Sequence, residues 1–175
     1  MTRPPSGARH TPVSACEGLL RIEPLVLHVD TDVLVATHRA AAQPATRLIG
    51  AVDDTGRLVG VLPILRLAQA VVARVAPEAI MSGLTDLADI ASFGHTVEAR
   101  TVGEAMLEPS AVTSTATIDE AFRKMHSSHQ SGLYVVDEDG RPTGYLDMLE
   151  LALVYVDVLE GRAPSEARPA DDPKP

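Results

Sequence analysis

The chain contains an internal duplication, and this repeat constrains its fold more than any other feature of the sequence. When the 175-residue sequence is shifted by 84 residues, residues 28–67 align with residues 112–151 without a gap. Ten of those forty positions are identical, and they include the glycine pairs Gly56/Gly140 and Gly60/Gly144. Self-similarity over such a stretch indicates two copies of one supersecondary unit. We therefore predict one small fold that is built twice.

The second copy has clear local signals for its elements. Thr117-Ile118-Asp119-Glu120 has the pattern of a capping box, which marks the start of a helix. The apolar run 133–136 predicts a strand, and the acidic segment 137–141 predicts a turn. Residues 144–146 then predict a returning strand, and a helix follows over 147–159.

The first copy predicts the same order of elements. Its helix begins at Asp30 to Asp32 and ends at Ala42, and its strands cover 48–52 and 58–62. Pro63 suits the first position of the last helix, because that position needs no N–H donor. The order helix, strand, turn, strand, helix, used twice, predicts an α+β fold with small sheets flanked by helices.

Composition excludes several classes of function. The formal net charge is −9 and the pI is about 5.0, with no cluster of basic residues, so we expect no binding to nucleic acid. Cys16 is the single cysteine, which excludes an internal disulfide and a cysteine-based zinc site. No apolar run approaches the ~20 residues of a membrane span, so we expect no membrane insertion and a cytoplasmic location.

Changes in composition along the chain predict its domain boundaries. Both ends are rich in proline, alanine and charge, which favours tails. The connector contains a predicted helix from Thr85 to Ala91 and a second capping-box pattern at 101–104. The predicted parts are an N-terminal tail 1–18, a first repeat 19–76, a connector and lead-in 77–106, a second repeat 107–161 and a C-terminal tail 162–175.

The repeat resembles the cystathionine-β-synthase-type (CBS) domain, and the chain resembles a tandem pair, or Bateman module. The resemblance is carried by the segments 117–125, 132–141 and 144–146, and by the lead-in 101–106. It implies two repeats packed about a pseudo-twofold axis, with two clefts that often hold adenine nucleotides or related ligands. It also implies a regulatory module without catalysis that commonly forms dimers.

Both copies depart from the ligand pattern of that family, which is Gly, two apolar residues, Thr or Ser, two residues and Asp. The second copy has Asp147 and Glu150 at the last two of those positions, and the first has Pro63 and Arg66. The residues that the resemblance assigns to ligand binding are Val29, Arg47, Arg66, Thr113, Ser131, Tyr134, Asp147 and Glu150. The expected ligand is AMP, ATP or another adenosine compound.

Charge separates the two predicted clefts. Arg47 and Arg66 favour an anion in one cleft, although both can instead be surface charges paired with nearby carboxylates. In the other cleft Asp147 would repel a phosphate, so an uncharged nucleoside, a cation or no ligand suits it better.

His126 and His129 lie three residues apart, but without a third ligand nearby we interpret them as a solvated helix face and predict no metal site.

The last helix of each copy, 64–76 and 147–159, is apolar on nearly every side. Such helices must be covered all round, which predicts a homodimer unless the connector covers them.

The leading hypothesis is a sensor of a small ligand that signals to a partner protein, such as a transporter or an enzyme. The alternative is a ligand-free dimeric scaffold with degenerate clefts. Nothing in the sequence supports an enzyme, because no nucleophile elbow, phosphate loop or zincin motif is present.

Overall fold

The structure is a computed structural model that describes residues 10–15, 22–76, 78, 94 and 98–159. The predicted helix 85–91, Cys16 and the C-terminal tail lie outside the described residues. Among the described helices, none is long and apolar enough to cross a membrane.

The first repeat consists of a three-stranded sheet and two helices. Strand β1 (Val26–His28) leads into helix α1 (Val33–Ala42), which is followed by strands β2 (Leu48–Val52) and β3 (Leu58–Pro63) and helix α2 (Ile64–Val75). The sheet order is β1-β2-β3, with β1 parallel and β3 antiparallel to β2. The Asp32 carboxylate caps α1 by accepting a hydrogen bond from the Leu34 N–H at 2.7 Å.

The second repeat has the same elements in the same order. Helix α3 (Val102–Ala105) precedes strand β4 (Ala111–Thr113), helix α4 (Ile118–Ser127), strands β5 (Gly132–Val136) and β6 (Pro142–Asp147), and helix α5 (Met148–Leu159). Its sheet order is β4-β5-β6, with the same parallel and antiparallel pairs. Both predicted capping boxes are present, at the starts of α3 and α4.

The register confirms the duplication but corrects its alignment. Strands β2 and β5, β3 and β6, and helices α2 and α5 are offset by 84 residues, and Gly60 and Gly144 occupy equivalent places in their ladders. The earlier elements are offset by 85, because α1 begins at Val33 and α4 at Ile118. The gapless alignment is therefore wrong before the second strand, where the first repeat has one more residue after its helix.

One element boundary also differs from its prediction. Pro63 is the last residue of β3 and the N-cap of α2, with φ −60° and ψ 138°, and does not lie at the first helical position. The equivalent residue in the second repeat, Asp147, is likewise the last residue of β6. An N-cap has extended backbone angles, which proline adopts without strain.

The N-terminal segment packs against the second repeat. Val13 is fully buried in the core beside Ile118 and Ala121. The Val13 N–H donates to the Ala116 carbonyl at 2.8 Å, and the Ile118 N–H donates to the Thr11 carbonyl at 3.0 Å. The description of residues 1–18 as a tail is therefore wrong for residues 10–15.

The lead-in of the second repeat packs against the first repeat in the same way. The Val33 N–H donates to the Arg100 carbonyl at 2.9 Å, and the Val102 N–H donates to the Thr31 carbonyl at 2.8 Å. Val102 is fully buried in the core of the first repeat. Each repeat is thus completed by the segment that precedes the other one, and the two repeats are interlocked.

Candidate functional site

The two sheets meet through a small core around the pseudo-twofold axis. Tyr134 and Tyr145 form its centre, with ring centroids 5.4 Å apart in an edge-to-face arrangement, and Leu48 and Val61 pack beside them. Gly50, which is equivalent to Tyr134, leaves room for that ring, because a Cβ at Gly50 would lie 2.8 Å from Tyr134 Cζ. The glycine of one repeat therefore accommodates the tyrosine of the other.

The Tyr134 hydroxyl joins the two repeats. Its oxygen lies 2.7 Å from the carbonyl of Leu25 and 2.9 Å from that of Leu48, so it can donate to either of these first-repeat acceptors. The side chain is fully buried, and burial raises the pKa of Tyr134 far above its ordinary value. This predicted ligand residue has no exposed surface, which indicates a structural role.

The Tyr145 hydroxyl is buried and makes no hydrogen bond of standard geometry among the described residues, although the backbone of Arg47 lies close enough to lower its pKa. Burial is the main cause that raises the pKa of Tyr145, and the neighbouring carboxylates of Asp147 and Glu150 raise it further. An unsatisfied buried hydroxyl next to two carboxylates is a polar feature that needs an explanation. It identifies the surroundings of Asp147 as the candidate site.

Arg47 and Asp147 form an ion pair across the two repeats. Arg47 Nε lies 3.5 Å from Asp147 Oδ2, a distance that gives attraction between the charges but no hydrogen bond. The Asp147 side chain is 4% exposed, whereas that of Arg47 is 57% exposed. The other carboxylate oxygen, Oδ1, caps α5 by accepting from the Leu149 N–H at 2.8 Å. The buried Asp147 carboxylate thus caps helix α5 and also attracts an arginine of the first repeat.

This geometry corrects the separation of charges between two clefts. We predicted that Arg47 lies with Arg66, away from Asp147, but Arg47 faces Asp147. Arg66 instead donates from Nε to the Ala105 carbonyl at 2.7 Å, which fastens α2 to α3. Repeat alignment pairs Arg47 with Ser131 and Asp147 with Pro63, and it contains no information on contacts across the axis. The alternative interpretation of Arg47 as a charge paired with a nearby carboxylate is confirmed.

The other predicted ligand residues are spread over the two repeats. Val29 is half-buried, and its carbonyl accepts from the Gly103 N–H of α3 at 2.8 Å. Thr113 ends β4, and its hydroxyl bonds that of Thr115 at 3.0 Å. Ser131 is exposed, and its carbonyl accepts from the Met148 N–H at 2.8 Å. The structure brings together Arg47, Asp147 and, one helical turn further, Glu150.

An open groove of about 380 Å³ contains residues that the sequence reasoning missed. Ser110 and Gln130 line it, directly before β4 and two residues before β5, and Lys124 supplies a cation. Ser110 is 3% exposed, and its hydroxyl has no partner among the described residues. The sequence does contain a signal for Ser110, because this residue lies directly before a strand, as Arg47 does. Within the described part of the chain, no group of three or more side chains could hold a metal ion.

Sequence and structure comparisons agree with this architecture. Residues 102–157 match the CBS domain. No curated protein matches the chain. A CBS-domain-containing protein from Thermotoga maritima is similar in structure, with a TM-score of 0.65 and 25% identity over 83% of this chain and 94% of that one.

Two further solved structures share the fold. The CBS-domain pair of protein MJ0100, solved with 5′-methylthioadenosine and S-adenosyl-L-methionine, has a TM-score of 0.60 and 18% identity, covering 83% of this chain and 99% of that one. CBSX2 from Arabidopsis thaliana, solved with AMP, has a TM-score of 0.64 and 19% identity, covering 84% and 97%.

The fold defines a protein of two tandem α+β repeats around a pseudo-twofold axis. Its second repeat matches the CBS domain, and the chain as a whole has the fold of a CBS-domain pair, as its sequence resemblance predicted.

Proposed function

We propose that the chain is a non-catalytic regulatory module that binds an adenosine compound without phosphate groups beside Asp147. The observation that supports this most is the buried Asp147 carboxylate, which faces Arg47 across the two repeats. Ligand binding at such a junction would change how the repeats hold each other, and a partner protein such as a transporter or an enzyme would respond. We place this module in the cytoplasm.

Electrostatics decides the class of ligand. Arg47 contributes one positive charge, and Asp147 and Glu150 contribute two negative charges, so the formal sum at the junction is −1. A phosphate brought near these carboxylates would meet a repulsion on the order of 1–4 kcal/mol per close pair. A neutral nucleoside avoids this cost, and a cationic sulfonium gains attraction.

The ligands of the fold relatives provide the probes. 5′-Methylthioadenosine is neutral, S-adenosyl-L-methionine carries a sulfonium, and AMP carries a phosphate. For this chain we propose the first two in preference to AMP or ATP. This replaces the expectation of an anion held by Arg47 and Arg66, because the Nε of Arg47 faces the Asp147 carboxylate and the Nε of Arg66 bonds the Ala105 carbonyl.

Titration calorimetry with these four compounds tests the proposal. We expect the wild type to bind 5′-methylthioadenosine or S-adenosyl-L-methionine at least 10-fold more tightly than AMP, a difference of about 1.4 kcal/mol. Asp147→Asn should remove the preference, because it keeps the shape of the side chain without its charge. Glu138→Gln, an exposed carboxylate on the β5–β6 turn, is the matched control and should change nothing. Tighter binding of AMP to the wild type would contradict the proposal.

A ligand-free dimeric scaffold is the second candidate function. It is favoured by exposed apolar side chains on the last helix of each repeat, including Leu65 at 71% and Leu149 at 62% exposed. Light scattering should then show a homodimer without any ligand, and Leu153→Asp should shift it toward monomer, because an unpaired charge would enter the interface. A wild-type monomer at micromolar concentration, together with ligand binding, would favour the sensor alone.

A further inference from the structure

The groove at the start of strands β4 and β5 is lined by two charges of opposite sign. Glu108 and Lys124 are exposed and lie among the residues that line this space of about 380 Å³. Within the described part of the chain, neither of these side chains forms an ion pair. Two unpaired charges of opposite sign are complementary to a ligand that itself carries both charges.

Uncharged polar groups of the groove complement both parts of such a ligand. Ser110 is 3% exposed, and its hydroxyl has no partner among the described residues, so a ligand oxygen would satisfy it. Gln130 adds an amide. The hydroxyls of Ser127 and Ser128 donate to the Lys124 carbonyl at 3.0 and 2.8 Å, which leaves both oxygens able to accept from an ammonium group. The groove therefore offers donors and acceptors as well as charges.

The groove lies at the same edge of the second sheet as Asp147. Gly132, the first residue of β5, pairs with Asp147, the last residue of β6. Gln130 precedes Gly132 by two residues, about 7 Å along the chain. Ser110 directly precedes β4, which runs parallel to β5, so it lies at this edge too. A ligand beside Asp147 that extends along the edge therefore enters the groove.

The first repeat lacks both parts of this arrangement. Leu25 stands at the place of Ser110, directly before the first strand, and it is an apolar core residue. Pro63 stands at the place of Asp147, at the end of the last strand. A ligand that needs both the carboxylate and the groove therefore has its site on the second repeat.

We propose that this groove binds the α-amino-acid end of the ligand, so that the chain selects an adenosine compound with an amino-acid arm. Lys124 attracts the carboxylate of the arm, and Glu108 attracts its ammonium group, through charge-assisted hydrogen bonds. This inference rests on the proposed function and specifies its ligand. Of the two compounds proposed there, S-adenosyl-L-methionine has such an arm and 5′-methylthioadenosine has none.

Titration calorimetry with S-adenosyl-L-homocysteine and 5′-methylthioadenosine isolates the arm, because both compounds are uncharged at sulfur and only the first has an amino-acid group. We expect the wild type to bind S-adenosyl-L-homocysteine about 10-fold more tightly. Lys124→Met and Glu108→Gln, which change exposed side chains, should each remove most of this difference. Arg123→Met is the matched control, because Arg123 is the next cation on α4 and pairs with Asp119 outside the groove. It should keep the difference.

The outcomes separate the amino-acid site from the proposed function. Equal binding of the two compounds by the wild type, or a preference that survives both Lys124→Met and Glu108→Gln, would overturn the amino-acid site while the proposed function stands. L-Methionine alone that binds as tightly as S-adenosyl-L-homocysteine would show that the groove takes a free amino acid, and would also overturn the inference. Binding of neither adenosine compound would end both.

Discussion

At the scale of single residues, the two central tyrosines differ in one testable respect. The Tyr134 hydroxyl can donate to either of two backbone carbonyls of the other repeat, and the Tyr145 hydroxyl makes no hydrogen bond of standard geometry among the described residues. We expect Tyr134→Phe to lower the free energy of unfolding by about 1–2 kcal/mol, because a buried hydrogen bond between the two repeats is lost. Tyr145→Phe should not lower it, because a buried hydroxyl without a good hydrogen bond has lost its hydration with nothing in return. Urea denaturation followed by circular dichroism measures both.

The comparison is internally controlled, since both substitutions remove the same oxygen from rings in contact with each other. Equal losses would contradict the assignment of the inter-repeat bond to Tyr134 alone. A larger loss at Tyr145 would mean that its hydroxyl has a partner in solution, such as an ordered water.

The same tyrosines predict a loss of stability in alkali. The folded-state pKa of each is raised above the ordinary value near 10, so only the unfolded chain ionises them as the pH rises past about 10. The unfolded state then binds fewer protons than the folded state, and the free energy of unfolding falls. Urea midpoints between pH 9 and about pH 11 should decline, and less steeply in Tyr134→Phe. An unchanged slope in that variant would contradict the prediction.

Sequence reasoning identified the chemical types at the candidate site but not their partners. Asp147 and Glu150 were found because they stand where the family pattern has other residues. Their contact with Arg47 could not be predicted, because it crosses the axis between repeats. Tyr134 was assigned to ligand binding although it is a core residue. A tyrosine on a strand can face a cleft or the opposite sheet, and the sequence does not distinguish the two.

At the scale of elements, the strands were easier to predict than the helix register. Strand β2 was predicted to the residue, because an apolar run between polar turns defines both of its ends. The first helices of the two repeats, α1 and α4, were aligned with an error of one residue. The identities Thr31/Thr115 and Arg39/Arg123 supported that gapless alignment, yet these residues are not structural equivalents. Thr31 and Thr115 lie in turns before the helices, and Arg39 and Arg123 are exposed on them, so none of these side chains is held in the core where packing would fix the register.

The N-terminal segment was missed because one apolar residue produces no periodicity. Val13 is fully buried in the second repeat, so we expect Val13→Ala to lower the free energy of unfolding by about 1–3 kcal/mol through lost burial and a small cavity. Ser14→Ala, next to it and exposed, is the control and should stay within about 0.5 kcal/mol. Chemical denaturation checks both. Equal, small effects would mean that the segment contributes nothing to the fold.

At the scale of the whole molecule, the segment that precedes each repeat packs against the other repeat, and this makes the two repeats depend on each other. Residues 11–14 complete the second repeat and residues 100–103 complete the first, through equivalent backbone hydrogen bonds. The Tyr134 hydroxyl and the Arg47–Asp147 pair add side-chain links across the axis. A ligand beside Asp147 would therefore act on a junction that holds both halves, which suits a regulatory module.

This interlocking predicts that the chain unfolds in one cooperative step. The Gly50 N–H donates to the Leu25 carbonyl in the first repeat, and the Tyr134 N–H donates to the Ser110 carbonyl at the equivalent place in the second. Hydrogen exchange should give both amides the same free energy of opening. Val13→Ala changes only the core of the second repeat, yet it should speed exchange at Gly50 by the same factor as at Tyr134, because neither repeat stays folded without the other. Faster exchange at Tyr134 alone would show that the repeats unfold independently.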